Sequence, residues 1–471
     1  MQGNPQIGLI LMRAPWAGCG APQDFLSAVQ ADARAIVERL RRRLPVRDPW
    51  IVSDAASLEA CKSAVEQASL DLVILAFQTW TDESLLLPLL DTLRRQPLVL
   101  WCSLPWRRMP RPASFTEVLR STGPVSAFRA LGALRGHDVP FLFTWGSADD
   151  PRLQRDLEVA ARAANVGSAL RNARFGIAER GEGQGRVGGC EDDERVRERF
   201  GLTIERFDAA HVQAVEDAVP GEQVLDYLSA ARVAYPVIEA TEAALERSAR
   251  AALGLARLAA DHRLQMALVQ NPLSPPEAVF PTEPGLYPGW PGAAASPPEE
   301  PLFLPEGDLC AGVATYVLHR LTGSPTLFLE FWYWDEALNQ LVGGHAGPQN
   351  PAAGEPGEAR VGLGYQFCKD GPPQGAQLEF IARPGRVTLF QLRAGPGGWQ
   401  GVVATGVCLE SRPVVEGVPH ALLRLDTPIA HFLNRMAEVG ASPHWILAYG
   451  SVAHEIEAFC QMHDIPLEIL R

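Results

Sequence analysis

The sequence predicts an α/β protein: two doubly wound parallel-sheet domains followed by a C-terminal antiparallel β-barrel-like domain. Three observations predict it. Short, continuously apolar runs alternate with amphipathic stretches through the first half of the chain, which is the pattern of parallel strands covered on both faces. After Thr322 that alternation gives way to strand-like runs separated only by Gly and Pro turns, the pattern of an antiparallel sheet or barrel. The 471 residues also exceed what one core holds and suggest about two to four domains.

The first domain is expected over 1–138. It opens with a strand at Ile7 to Met12, a helix around 24–44, a strand near Trp50 to Ser53 and a helix around 57–68; DLVILAF (71–77) and LVLWCSL (98–104) follow as strands apolar on both faces. A second round, 139–323, is expected to start with VPFLFTWG (139–146). It continues through a helix near 151–164, the strand ARFGIAE (173–179), a helix near 191–199, the strand LTIERFD (202–208) and one or two long helices over 222–263. QMALVQN reads as a strand, and 271–301 is too rich in Pro, Gly and Ala for regular structure, so it reads as a surface excursion before the strand PLFLP. The third domain, 324–471, contains the runs TLFLEFWYW, NQLVGGHAG, RVGLGYQF, AQLEFIARPGRVTLFQLRA, WQGVVATGVCLES and HALLRLDT, then helices over 427–439 and 452–463.

Composition narrows the function. Hydrophobic content of 47% with 21% charged residues is that of a globular protein and not of a disordered one. The net charge of -13, with arginines scattered among carboxylates, argues against nucleic acid and for a small-molecule substrate. The N-terminal residues lack the pattern of a signal peptide, and no run of about eighteen apolar residues offers a membrane span. The eight cysteines (19, 61, 102, 190, 310, 368, 408 and 460) lie far apart without zinc-site spacing, as expected of reduced core residues in a cytoplasmic protein.

Four residues carry the chemistry. Glu306, in LFLPEGDLCAGVATYVLHRLTG, follows an apolar strand and precedes a helix, where a parallel sheet places its ligand crevice. Glu330 lies inside TLFLEFWYWDE, where a buried carboxylate needs a partner or a metal. His345 sits between glycines in LVGGHAGP, and His444 precedes the strand WILAYG. Alone, each has an ordinary explanation as a cap, an ion-pair partner or a loop histidine; the constellation is what shifts those odds.

With these residues in place, the chain resembles the L-fucose and L-arabinose isomerases. The resemblance rests on Glu306 within PEGDLCAGVATYVLHRLTG, on Glu330 twenty-four positions later, on the GGHAG histidine, and on the closing HWILAYGSVAHEIEAFCQMHDIPLEIL, which is similar to the arabinose isomerases. It covers the order of domains along nearly the whole chain. It departs where those enzymes have paired histidines and this chain has His444 followed by Trp445, and the N-terminal domain is only generically similar. The resemblance implies Glu306, Glu330, His345 and His444 as ligands of a divalent metal, manganese, with both glutamates doubling as acid and base. It also implies a homo-trimer or homo-hexamer with sites between subunits, the N-terminal domain serving as oligomer contact and pocket wall.

The activity so implied is aldose–ketose isomerisation of a pentose or 6-deoxyhexose, of the L-arabinose, L-fucose or D-arabinose type, through an enediol. A metal near O1 and O2 stabilises the negative charge, and paired carboxylates move the proton between C1 and C2. Trp332, Trp334 and Tyr449 are expected to line the sugar pocket, and Arg13, at the end of the first strand, to reach a substrate hydroxyl. The alternative is a sugar-binding or regulatory protein of the same fold without turnover.

Other signals are set aside. Residues 183–188 satisfy G-x-G-x-x-G, but the acidic CEDDE behind them suits no pyrophosphate. The two lysines, Lys62 and Lys369, offer no Schiff-base nucleophile, and neither a Walker A loop nor a G-x-S-x-G elbow occurs. His454 and His463, on the last helix, read as exposed or packed.

Overall fold

A computed structural model describes residues 4–14, 22–81, 83–179, 193–235, 238–270, 286–287, 301–363 and 375–471. The chain forms two compact units: Met1–Ser168 with His454–Ile465, and Ala169–Ala453 with Pro466–Arg471. The glycine motif at 183–188, Lys369, Cys19, Cys190 and Cys368 lie outside the described residues.

The first unit runs β1 (Ile7–Met12), α1 (Phe25–Arg41), β2 (Trp50–Val52), α2 (Ala55–Gln67), β3 (Leu72–Phe77), the short α3 (Glu83–Leu86) and α4 (Leu90–Leu93), β4 (Leu98–Leu104), α5 (Phe115–Arg120), α6 (Gly123–Gly136), β5 (Leu142–Ser147) and α7 (Pro151–Arg171). Its strands form a parallel sheet in the order β2-β1-β3-β4-β5. Every residue of β1 and β3 is buried, as two-sided coverage requires. Helix starts follow side-chain chemistry: Asp54 with Ser57 at α2 and Ser114 with Glu117 at α5 each form a reciprocal capping box.

One sequence expectation is corrected here. The strand expected to open a second sheet at 139–146 is β5, which pairs in parallel with β4 as the fifth strand of the first sheet. Helix α7 behind it packs Leu153, Leu157 and Ala161 on the same core as Ile7, Leu9 and Trp101. Strand–helix alternation is identical on both sides of such a point, so local pattern does not say which sheet a strand joins.

The second unit begins with β6 (Arg174–Glu179), α8 (Asp193–Phe200), β7 (Thr203–Phe207), α9 (Ala209–Asp217), α10 (Gly221–Ala234), α11 (Glu242–Asp261), β8 (Met266–Gln270), β9 (Leu302–Pro305) and α12 (Leu309–Thr322). The parallel order is β7-β6-β8-β9. Next come β10 (Thr326–Asp335), β11 (Gln340–Gly344), β12 (Arg360–Leu363), β13 (Ala376–Glu379), β14 (Gly385–Gly395), β15 (Gly398–Cys408), β16 (His420–Leu425), α13 (Ile429–Val439), β17 (Trp445–Tyr449) and, after α14 (Ala453–Met462), which belongs to the first unit, β18 (Leu467–Leu470).

Six of these strands close an antiparallel barrel in the order β14-β17-β10-β11-β16-β15, β15 returning to β14, and β18 adds in parallel outside β15. Closure removes the unpaired edges that an open sheet would expose. The barrel and the second parallel sheet share one hydrophobic cluster, in which Leu329, Leu389, Leu423 and Leu447 meet Leu255, Ala267 and Val269. β12 and β13 form a separate two-stranded ribbon.

No helix among the described residues is long and apolar enough to cross a membrane. Cys61, Cys102, Cys310, Cys408 and Cys460 are buried and unbridged.

Candidate metal centre

The fully buried strand β9 ends at Pro305, and the chain then makes two consecutive left-handed residues, Glu306 (φ 67°) and Gly307 (φ 69°). Glycine adopts this conformation freely, but a glutamate held there costs about 1–2 kcal/mol, which the surrounding structure must offset. Gly307 also has no room for a side chain, since a Cβ would stand 2.8 Å from Gln270 Cβ. The next residue, Asp308, ends the turn by starting α12: its Oδ1 accepts from the backbone N–H of Cys310 at 2.8 Å and of Ala311 at 3.2 Å. The segment Glu-Gly-Asp thus turns the Glu306 carboxylate back across the end of the sheet.

The barrel delivers the other three residues by register. In β10, Glu330 pairs with Gly344 of β11, so His345 is the next residue beyond the pair. On the other side Leu329 pairs with Trp445 of β17, which brings His444 beside Glu330. Gly344 permits the close approach: a Cβ there would stand 2.2 Å from Pro419 O and 2.8 Å from His420 Cα. Phe328 lies beneath both rings, its centroid 4.9 Å from that of His345 and 4.7 Å from that of His444. Its backbone N–H and C=O are both taken by the buried side chain of Gln349, at 3.1 and 3.0 Å.

The four side chains converge. Glu306, Glu330 and His444 each offer an atom within 4.8 Å of the other two, forming a possible metal site, and His345 joins through Glu306. His345 Nε2 lies 3.0 Å from Glu306 Oε1; His444 Nε2 lies 3.1 Å from Glu306 Oε2 and 3.6 Å from Glu330 Oε1. The far nitrogens face acceptors too: His345 Nδ1 donates to Ala346 O at 2.7 Å, and His444 Nδ1 to Asp308 Oδ2 at 2.8 Å.

A neutral imidazole has one N–H. With that proton committed at Nδ1 in both rings, both Nε2 lone pairs face carboxylate lone pairs. Such an arrangement needs a cation between them or a second proton on a ring. Glu306 Oε2 and His444 Nε2 are in fact buried without a hydrogen-bond partner, the condition that a metal ion relieves. Two carboxylates, two imidazoles and no thiolate suit a hard or borderline divalent ion, and the carboxylate behind His444 is the usual orienting partner of a metal-bound histidine.

Electrostatics agree. Burial raises the Glu306 carboxyl pKa, but the adjacent His345 and His444 outweigh it and hold the group well below the usual carboxylate range. Burial opposes charge on His444, yet Asp308, Glu306 and Glu330 push its pKa up to about 11.

The structure brings together Glu306, Glu330, His345 and His444 of the residues singled out in the sequence. Trp332 and Trp334 lie farther along β10, past an irregularity in the pairing between Phe331 and Tyr333, and are 41% and 48% exposed. The Tyr449 hydroxyl lies 2.7 Å from Ala353 O and 2.9 Å from Arg383 O, and the Arg383 guanidinium stacks on its ring, so that side chain is committed to the barrel wall. Arg13 lies at the end of β1 in the first unit. His454 is exposed near Glu457, and His463 packs on Phe459. Sequence reasoning assigned no role to Asp308, because Asp before an apolar helical run reads as a cap; its second task at His444 depends on contact between residues 136 positions apart.

No family model matches the chain. Similar curated proteins include the sulfoquinovose isomerase of Alkalicoccus urumqiensis, 22% identical over 385 residues, which are 79% of this chain and 80% of that protein. The sulfoquinovose isomerases of Priestia aryabhattai and Priestia megaterium are each 20% identical over 435 residues, 89% of this chain and 90% of theirs. These distant relatives are named as sugar isomerases, for a sugar other than L-fucose or L-arabinose.

Proposed function

We propose that this chain is a divalent-metal-dependent isomerase that interconverts an aldose and a ketose at the Glu306, Glu330, His345 and His444 centre. One observation carries the reading: two histidines whose outer nitrogens are fixed by Asp308 and Ala346 turn their inner lone pairs toward two carboxylates. That donor set fits a cation, and the names of the relatives supply the reaction class.

A divalent ion held there, manganese by the resemblance, supplies a Lewis acid beside O1 and O2 of an open-chain sugar. The chain's own residues do the rest. Glu306, ionised and oriented by both histidines, and Glu330, its side chain 33% exposed, are the two carboxylates available at the sugar. One of them takes the proton from C2 of the aldose; that C–H electron pair forms the C1–C2 double bond as O1 gains a proton, giving an enediol. Return of the proton to C1, with loss of the O2 proton, leaves the ketose. Phe328 and the buried strands around the histidines keep bulk water away from the exchange. Trp332 and Trp334 serve as aromatic faces for the sugar, and Tyr449 as a buttress of the wall behind it.

The substrate class is a pentose or a 6-deoxyhexose. Within it the relatives' names put sulfoquinovose first, a 6-deoxyglucose that carries a sulfonate at C6. The test is a ketose-formation assay over aldopentoses, deoxyhexoses and sulfoquinovose with added manganese. Turnover that disappears with EDTA and in Glu306→Gln is the expected result. Sugar binding unaffected by chelation, with no turnover of any sugar, would replace this reading with that of a binding protein.

A further inference from the structure

In the first unit, one face of α1, the carboxyl end of β1 and the region around β2 enclose a groove of about 590 Å³. Arg13 follows β1 at its carboxyl end, the end at which an open parallel sheet places its ligands, whereas Asp48 and Pro49 precede β2. Gln30, Arg34, Glu38 and Arg41 stand along the α1 wall at helical spacing, and Arg13 and Asp48 contribute from the other side.

The two acids of the groove are already engaged. Glu38 Oε1 accepts from Arg42 at 2.9 Å, and Asp48 Oδ1 accepts from Arg41 at 2.7 Å. The guanidiniums of Arg13, half-buried, and Arg34, exposed at the mouth, have no hydrogen bond or ion pair among the described residues; Arg13 is held only through its backbone N–H, which donates to Val52 O at 3.0 Å. The charge of Asp54 reaches Arg13, but that carboxylate is occupied in capping α2, accepting from Ser57 N at 2.8 Å. Burial lowers the Arg13 guanidinium pKa in spite of Asp54, the mark of a cation short of compensation. A half-buried guanidinium without a counter-charge is costly, and its planar fork of donors matches the oxygens of a tetrahedral oxyanion.

We propose that this groove is an oxyanion site, in which the guanidiniums of Arg13 and Arg34 and the amide of Gln30 take a sulfonate, sulfate or phosphate group. The site stands independently of the metal centre; only the source of its anion rests on the isomerase reading. The group belongs either to a free inorganic ion or to an anionic sugar held in this groove.

Calorimetric titration of the full chain with methanesulfonate, sulfate and phosphate at fixed ionic strength, against chloride, tests it. Saturable binding of at least one oxyanion is expected, weakened about tenfold or more in Arg13→Gln and in Arg34→Gln and unchanged in Glu306→Gln. No saturable binding above chloride, affinity in both arginine variants equal to that of the native protein, or loss of binding in Glu306→Gln would overturn the proposal. Arg34 is exposed, so its variant keeps the fold, and a thermal melt establishes the same for Arg13→Gln. Sulfoquinovose that displaces methanesulfonate from the groove assigns the group to a sulfonated sugar; displacement by sulfate or phosphate but not by sulfoquinovose assigns it to a free ion. Failure of the isomerase reading would show as absent turnover and leave the binding result standing.

Discussion

His444 Nδ1 lies 2.8 Å from Asp308 Oδ2, while the other oxygen of the same carboxylate holds the first turn of α12. One side chain therefore starts a helix and fixes which nitrogen of a histidine faces the centre.

Asp308→Asn separates those tasks. If the amide oxygen keeps the cap, the NH2 group faces Nδ1, forces the proton to Nε2 and removes the lone pair from the centre. We expect manganese affinity to fall about 10- to 100-fold with little change in the unfolding midpoint. Asp308→Ala should lose about 1 kcal/mol of helix capping as well. Metal titration beside thermal melts checks both, and an Asp308→Asn protein with unaltered affinity would refute the orienting role.

Metal removal should appear in stability as well as in activity. An ion that binds only the folded chain adds about 2.7 kcal/mol at a hundred times its dissociation constant. The melting temperature should rise with manganese in the native protein and stay flat in Glu306→Gln. A parallel rise in both would place the ion elsewhere.

The pH response of stability should come in two stages. His319 and His420 are buried, and burial lowers the pKa of both. His420 is held neutral by its contacts, its Nδ1 donating to Val418 O and its Nε2 accepting from Val414 and Val415 N–H. The folded pKa lies below the unfolded value of about 6.5, so the unfolded chain binds more protons as pH falls. This stability is complete above about pH 6.5 and declines below it. Asp426, lowered by Arg386, and Glu468, lowered by Arg435, add a loss that begins only near about pH 4. Because His444, raised to about 11, adds an opposing contribution that is lost as pH rises above about 6.5, the first stage is read as the difference in urea unfolding between the native protein and His420→Gln at pH 8, 6 and 5, and a difference that does not change with pH would refute it.

Gly344→Ala tests the register. Its Cβ would collide with Pro419 O, so β11 must move from β16 and carry His345 with it. A loss of about 1–3 kcal/mol from overpacking, together with weaker metal binding, is expected in denaturant melts and metal titration. An alanine variant equal to the native protein in both would show that the strand spacing tolerates a methyl group.

Much of this was legible in the sequence for identifiable reasons. Strands such as LVILAF announce themselves because burial on both faces demands an unbroken apolar run, and Glu330 stands out because it interrupts one. The assignment of β5 to a sheet was not legible, because it depends on which neighbour a strand meets. Strand β18, parallel to β15, escaped notice because LEIL after a helix carries no signal of its partner. The second role of Asp308 was hidden by the first, which fully explains an aspartate at that position.

β10 meets β17 at Leu329 and β11 at Glu330, both before the pairing shifts between Phe331 and Tyr333, so the register that places the ligands is set on the near side of that irregularity. The turn joining β10 to β11 can then accept inserted residues, a reporter peptide or a longer loop while the ion's ligands keep their places. A single-residue deletion between Thr326 and Leu329 would instead throw Glu330 to the opposite face of the barrel wall.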